Sequence, residues 1–100
     1  MAAGLVLQFG EGVGEPEYKA VNSELGLDLY TGQGNWPAGM LSHAAGMSDE
    51  GWVVTEVWDS KESQAAFMEG RLGPAFHAVN LPAPTRVLWY DVVASQHHHH

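Results

Sequence analysis

The sequence contains no cysteine. That removes disulfides, thiolate nucleophiles and Cys-type zinc sites, and it fits a cytoplasmic protein. Positive charge is scarce as well: 4 Lys and Arg stand against 12 Asp and Glu, for a formal net charge of −8. Without a basic stripe to neutralise phosphates, nucleic acid is excluded as a partner, and the same field is repelled by anionic membranes. No stretch approaches the ~20 apolar residues of a membrane span. The N-terminus, MAAGLVLQFGEG, has no basic region ahead of its short apolar run, so it does not read as a signal peptide.

Aromatic residues, in contrast, are plentiful for a chain of 100 residues: four Trp, three Tyr and three Phe. Each buries a large area, and some are expected to line a pocket or an interface. His97 to His100 read as the remnant of a purification tag and are set aside, which leaves residues 1–96 as a single domain with His43 and His77 to interpret. A domain of this size buries only about two-thirds of its unfolded surface, so a second copy covering apolar area would help.

Gly4 to Phe9 (GLVLQF) is a short apolar run bounded by glycine, expected as a first strand. The glycines at 10, 12 and 14 do not make a dinucleotide fingerprint, because the third is misplaced and Glu11 would face phosphate with like charge. Pro16 suits the first turn of a helix, flanked by Glu15 and Glu17 near its positive end. Tyr18, Val21 and Leu25 then form an apolar stripe that Gly26 stops. Asp28 to Asn35 is a loop of turn formers, and Met40 to Ala45 reads as a second strand.

Trp52 to Trp58 (WVVTEVW) is the strongest strand, dense in β-branched and aromatic residues. Alternation places Trp52, Val54, Glu56 and Trp58 on one face, and Val53, Thr55 and Val57 on the other. Asp59 is expected to cap the following helix, with Glu62 as its reciprocal partner. Gly73-Pro74 should break that helix, a short piece carrying His77 should resume it, and Arg86 to Val93 (RVLWYDVV) should be the last strand. The order is β-α-β-β-α-β. It predicts an α+β, ferredoxin-like fold with two helices on one face of a four-stranded antiparallel sheet. The opposite sheet face is too apolar to stay wet, which points to a symmetric dimer packed sheet against sheet.

Thr55 to Phe67 (TEVWDSKESQAAF) resembles the signature of the antibiotic biosynthesis monooxygenase-like proteins of the dimeric α+β barrel superfamily. In that signature a glutamate-x-aromatic strand end runs into a capped, Ala-rich helix. The resemblance implies a homodimer and a range of activities, among them cofactor-free oxygenation of aromatic polyketides and haem degradation. The histidine that many members carry on the second helix falls here on Phe67. In the haem-degrading branch a tryptophan precedes the iron-ligating histidine, and Phe67 and His77 reproduce that spacing. The first-strand asparagine of that branch corresponds only to Gln8.

The candidates therefore divide into two groups. His77 and His43 are expected as general bases, because imidazole titrates near ~6.5, and Gln8 or Tyr90 as donors to a developing enolate oxygen. Trp36, Trp58, Phe67 and Phe76 are expected to hold a small hydrophobic or aromatic molecule, with Asn35 and Trp36 on a lid-like loop. Glu56 reads as a structural carboxylate whose burial would raise its pKa. The histidines lack zinc-site spacing, so no metal is expected, and no Ser-His-Asp set is identifiable. The principal expectation is a cofactor-free oxygenase, or an isomerase or cyclase, acting on a flat polyketide-like substrate. A haem protein with His77 as the iron ligand and a non-catalytic dimeric ligand-binding module stay open as alternatives.

Overall fold

The computed structural model describes residues 2–28 and 31–94. The tag remnant assigned to His97–His100 lies outside the described residues, as do positions 29 and 30 of the expected loop. The elements run β1 (Ala3–Gln8), α1 (Glu15–Leu25), β2 (Met40–Ser48), β3 (Gly51–Trp58), α2 (Lys61–Phe67), a π-helical turn (Met68–Leu72), α3 (Gly73–Ala78) and β4 (Arg86–Asp91). The four strands form one antiparallel sheet in the order β2-β3-β1-β4. This is the ferredoxin-like arrangement expected from the sequence.

Register decides which residues reach the core. Leu5 pairs with Glu56 on one side and Trp89 on the other, and Leu7 pairs with Val54 and Val87. Leu5, Leu7, Phe9, Val54 and Trp58 are thus brought beneath the helices, all but sealed from solvent. Tyr18, Val21 and Leu25 of α1 close the layer, and Gly26 ends that helix in a left-handed conformation (φ 75°) that its missing Cβ permits. On the open face lie Gly4, Val6 and Gln8. There the Tyr90 ring lies so close over Gly4 that a side chain at that position would collide with it.

Two expectations are corrected. The cap of α2 is Ser60, whose Oγ accepts the Ser63 N–H at 3.2 Å. Asp59 instead accepts the Ser63 hydroxyl at 2.6 Å, one step outside the helix. Nor does Gly73-Pro74 break the helix. The chain widens into a π turn in which the Gly73 N–H reaches Met68 O, and the extra residue absorbs the hydrogen bond that Pro74 cannot donate. Phe67, Leu72 and Phe76 are thereby kept on the inward side.

Leu5 is 1 % exposed at the centre of this layer. Leu5→Ala is expected to lower unfolding free energy by about 2–5 kcal/mol in a urea titration, against about 0.5 or less for Glu24→Ala on the exposed face of α1. A loss below about 1 kcal/mol at Leu5 would contradict this account of the core.

Candidate functional site

The residues that meet under α1 come from three elements. His43 on β2 stands directly across from Glu56 on β3, on the face that the helices cover. Its orientation depends on an irregularity in β2: Met40 pairs with Trp58 and Ser42 with Val57, which leaves Leu41 as an extra residue. That bulge turns both Met40 and His43 inward, where strict alternation would separate them. From above, α1 contributes Tyr18, whose hydroxyl is hydrogen-bonded to His43 Nε2. The two ring planes are nearly parallel and meet end to end through that bond, with centroids 5.9 Å apart. Trp36 is tilted against the imidazole with centroids 5.5 Å apart, held by its indole N–H bond to Gly32 O (2.7 Å).

Glu56 is 6 % exposed, and its Oε1 accepts the Trp58 indole N–H at 2.9 Å. Asn22, one helical turn from Tyr18, is 3 % exposed and donates to Tyr18 O at 2.8 Å. Otherwise the surroundings are apolar, so the environment favours neutral forms. Burial pushes the His43 imidazole below its ordinary value and the Glu56 carboxyl above its own, the latter partly offset by the Trp58 bond. The Tyr18 phenol is raised as well, by burial first and by the nearby Glu56 charge second. His43 is therefore a neutral imidazole at physiological pH. It is free to take a proton at Nδ1 when its Nε2–H donates to the Tyr18 oxygen.

Two spaces open around this pair. An inner cavity of about 30 Å³, bounded by Tyr18, His43, Glu56, Phe67 and Phe76 among others, holds little more than a water molecule. An outer cleft of about 450 Å³ runs along β2, lined by Glu15, Tyr18, Trp36, His43, Met47 and Trp52 among others. Its size is that of an ordinary small-molecule site. A further recess of about 300 Å³ lies beside Trp36 and Met40. His43 and Trp36 border all of them.

Of the residues singled out from sequence, His43, Trp36, Phe67 and Phe76 come together here. Trp58 is fully buried behind Phe67, at 5.8 Å between ring centroids, and acts through Glu56 rather than facing the cavity. Asn35 is exposed; its backbone oxygen, with that of Leu25, receives Arg71 Nη2 (2.6 and 2.9 Å), which ties the loop to the end of α1. Gln8 and Tyr90 are placed elsewhere, on the open face, because both alternate with inward residues; Gln8 Nε2 donates to Glu50 O at 3.1 Å. His77 is exposed on α3, away from the residues lining the cavities. An iron at His77 would sit outside the inner cavity, whose space is too small for a porphyrin.

Sequence alone does not single out Tyr18 or Asn22 as site residues. A tyrosine within a buried helical stripe was the available signal, since its hydroxyl must find a partner. Asn22 follows at i+4, on the same side.

The buried groups give opposite pH dependences. His43 is depressed in the native state, so its contribution to stability is complete above ~6.5 and is lost as pH falls through the lower native value. Glu56 is raised, so its contribution is complete below ~4.5 and is lost as pH rises through the higher native value. Glu56→Gln, which keeps an acceptor for Trp58, should therefore raise urea midpoints at about pH 8, with a benefit that vanishes toward about pH 4. An equal effect at both pH values would contradict a carboxyl destabilised by burial.

No protein-family model matches the sequence, and no curated protein matches it. Solved structures do. A candidate antibiotic biosynthesis monooxygenase from Chloroflexus aurantiacus J-10-fl superposes with a TM-score of 0.67 at 19 % identity, covering 97 % of this chain and 98 % of the other. A Nitrosomonas europaea protein of unknown function follows at 0.60 and 14 %, covering 99 % and 94 %. At these identities the likeness is one of fold. The chain has the antibiotic biosynthesis monooxygenase-like fold that Thr55–Phe67 resembles.

Proposed function

We propose that this protein is a small-molecule enzyme in which His43 removes a proton from a flat, apolar, carbonyl-bearing substrate held in the outer cleft. The observation that carries this reading is an imidazole hydrogen-bonded to the Tyr18 hydroxyl in the wall of a cleft of substrate size lined with aromatic rings, where burial favours its neutral form. In the step, the C–H bond next to the carbonyl breaks and the proton passes to His43. The electron pair moves onto the carbonyl oxygen as an enolate. Tyr18 steadies the imidazolium through the bond at Nε2, and Trp36, in the cleft wall, packs against the substrate's ring system. An electron-rich enolate can react with dioxygen or attack a second carbon of the same molecule, so oxygenation and cyclisation share this first step. No metal is required for it, and a cysteine-free chain suits the cytoplasm.

The same reading includes a homodimer packed through the open sheet face. Val6, Val53 and Val57 are half-buried there, and Leu88 and Tyr90 are 47 % and 46 % exposed. A contiguous apolar face of this kind is uncommon on a monomer. Leu88→Glu should reduce the sedimentation coefficient from that of a dimer to that of a monomer; an unchanged value would remove this interface.

The chemical step is tested with tag-free, metal-depleted protein and 2-tetralone in deuterated water, following loss of the C1 proton signal by NMR. His43→Gln is expected to slow exchange by roughly 100-fold or more. Exchange at the parental rate in that variant overturns the assignment of the base. A protein that binds the ketone without exchanging it is a ligand-binding module instead.

A further inference from the structure

Among the described residues, a single buried side-chain polar atom lacks a partner: the indole nitrogen of Trp52. Two other tryptophans show the usual solution, since Trp36 donates to Gly32 O and Trp58 to Glu56. A buried N–H without an acceptor costs folding free energy, and native proteins carry few of them. Replacement by phenylalanine would remove the unpaired donor, while also giving up the packing of the larger indole ring.

Its surroundings indicate what the donor is for. Trp52 is 7 % exposed and forms part of the wall of the outer cleft, with the Tyr18 ring tilted against it at 5.5 Å. Directly across the strand pair stands Met47, 63 % exposed and part of the same wall. An unbranched thioether is easily displaced, so entry of a ligand can uncover the indole edge. Glu15 also borders the cleft, in a chain of net charge −8. An anionic ligand is therefore disfavoured, and a neutral one with an accepting oxygen is favoured.

We propose that the Trp52 indole N–H is a ligand-binding donor, kept unpaired in the free protein and taken up by a carbonyl or hydroxyl oxygen of a neutral, flat molecule. This inference rests on the outer cleft being the substrate site, and it adds the polar group by which that site selects an oxygen-bearing molecule from a plain hydrocarbon. Such discrimination is strong in principle, because a ligand without the oxygen leaves the donor unpaired.

The test uses the full chain labelled with ¹⁵N, with 2-tetralone as probe and tetralin, the same bicyclic frame without oxygen, as control. The Trp52 indole resonance is assigned by its loss in Trp52→Phe. Tetralone is expected to move that resonance downfield, while tetralin perturbs the His43 ring signals without a downfield indole shift. Trp52→Phe should weaken tetralone by roughly two- to tenfold more than it weakens tetralin. If tetralone perturbs His43 but leaves the indole signal in place, the donor assignment fails and the cleft assignment stands. If neither resonance moves, both fail. Equal indole shifts with the two probes overturn the donor assignment too.

Discussion

The antiparallel pairing of β1 with both β3 and β4 is the constraint on which the rest depends. It puts the most apolar strand at the centre and makes Leu5 and Leu7 the floor on which the helices sit. It also fixes the alternation of β3, so that Trp52, Val54, Glu56 and Trp58 all face inward. A slip of a single residue would turn that set toward solvent and bring Val53, Thr55 and Val57 under the helices instead. The bulk of the tryptophans inside the layer makes such a slip very costly.

Within that floor the polar groups are few and mutually dependent. Glu56 is tolerated because the Trp58 indole N–H satisfies one of its oxygens, and Tyr18 because its hydroxyl meets His43. Burial works against the charged form of each, lowering His43 and raising Tyr18 and Glu56 from their ordinary values. A neutral imidazole is thereby available without any neighbouring charge to enforce it. The cluster also joins α1 to the β2 edge of the sheet, so movement of that helix would alter the imidazole's hydrogen bonding as well as its packing.

The second helical segment solves a different problem. Its apolar side must stay turned to the cavity from Phe67 to Phe76 although Gly73-Pro74 lies between them. The π turn supplies the additional residue, and Arg71 on that turn reaches the carbonyl oxygens of Leu25 and Asn35. One local irregularity thus accommodates the proline and anchors the loop that carries Trp36 against the site.

Much of this was legible in the chain itself. Element order, the inward set on β3, the helix stripe from Tyr18 to Leu25 and its Gly26 stop follow from local periodicity and backbone preference, which neighbouring residues alone determine. The presence of His43, Trp36, Phe67 and Phe76 near a cavity was anticipated from residue type and placement, but the face occupied by His43 was not. Counting by twos from Met40 turns His43 outward, and only the bulge at Leu41, imposed by pairing with β3, turns it in. Likewise, nothing in the residues around Gln8 and Tyr90 excluded them from the site until register with inward neighbours put them on the open face. Local sequence determined which elements form and which side of each is apolar; partners distant in the chain decided which polar side chains meet, because register and bulges are settled by pairing rather than by the strand itself.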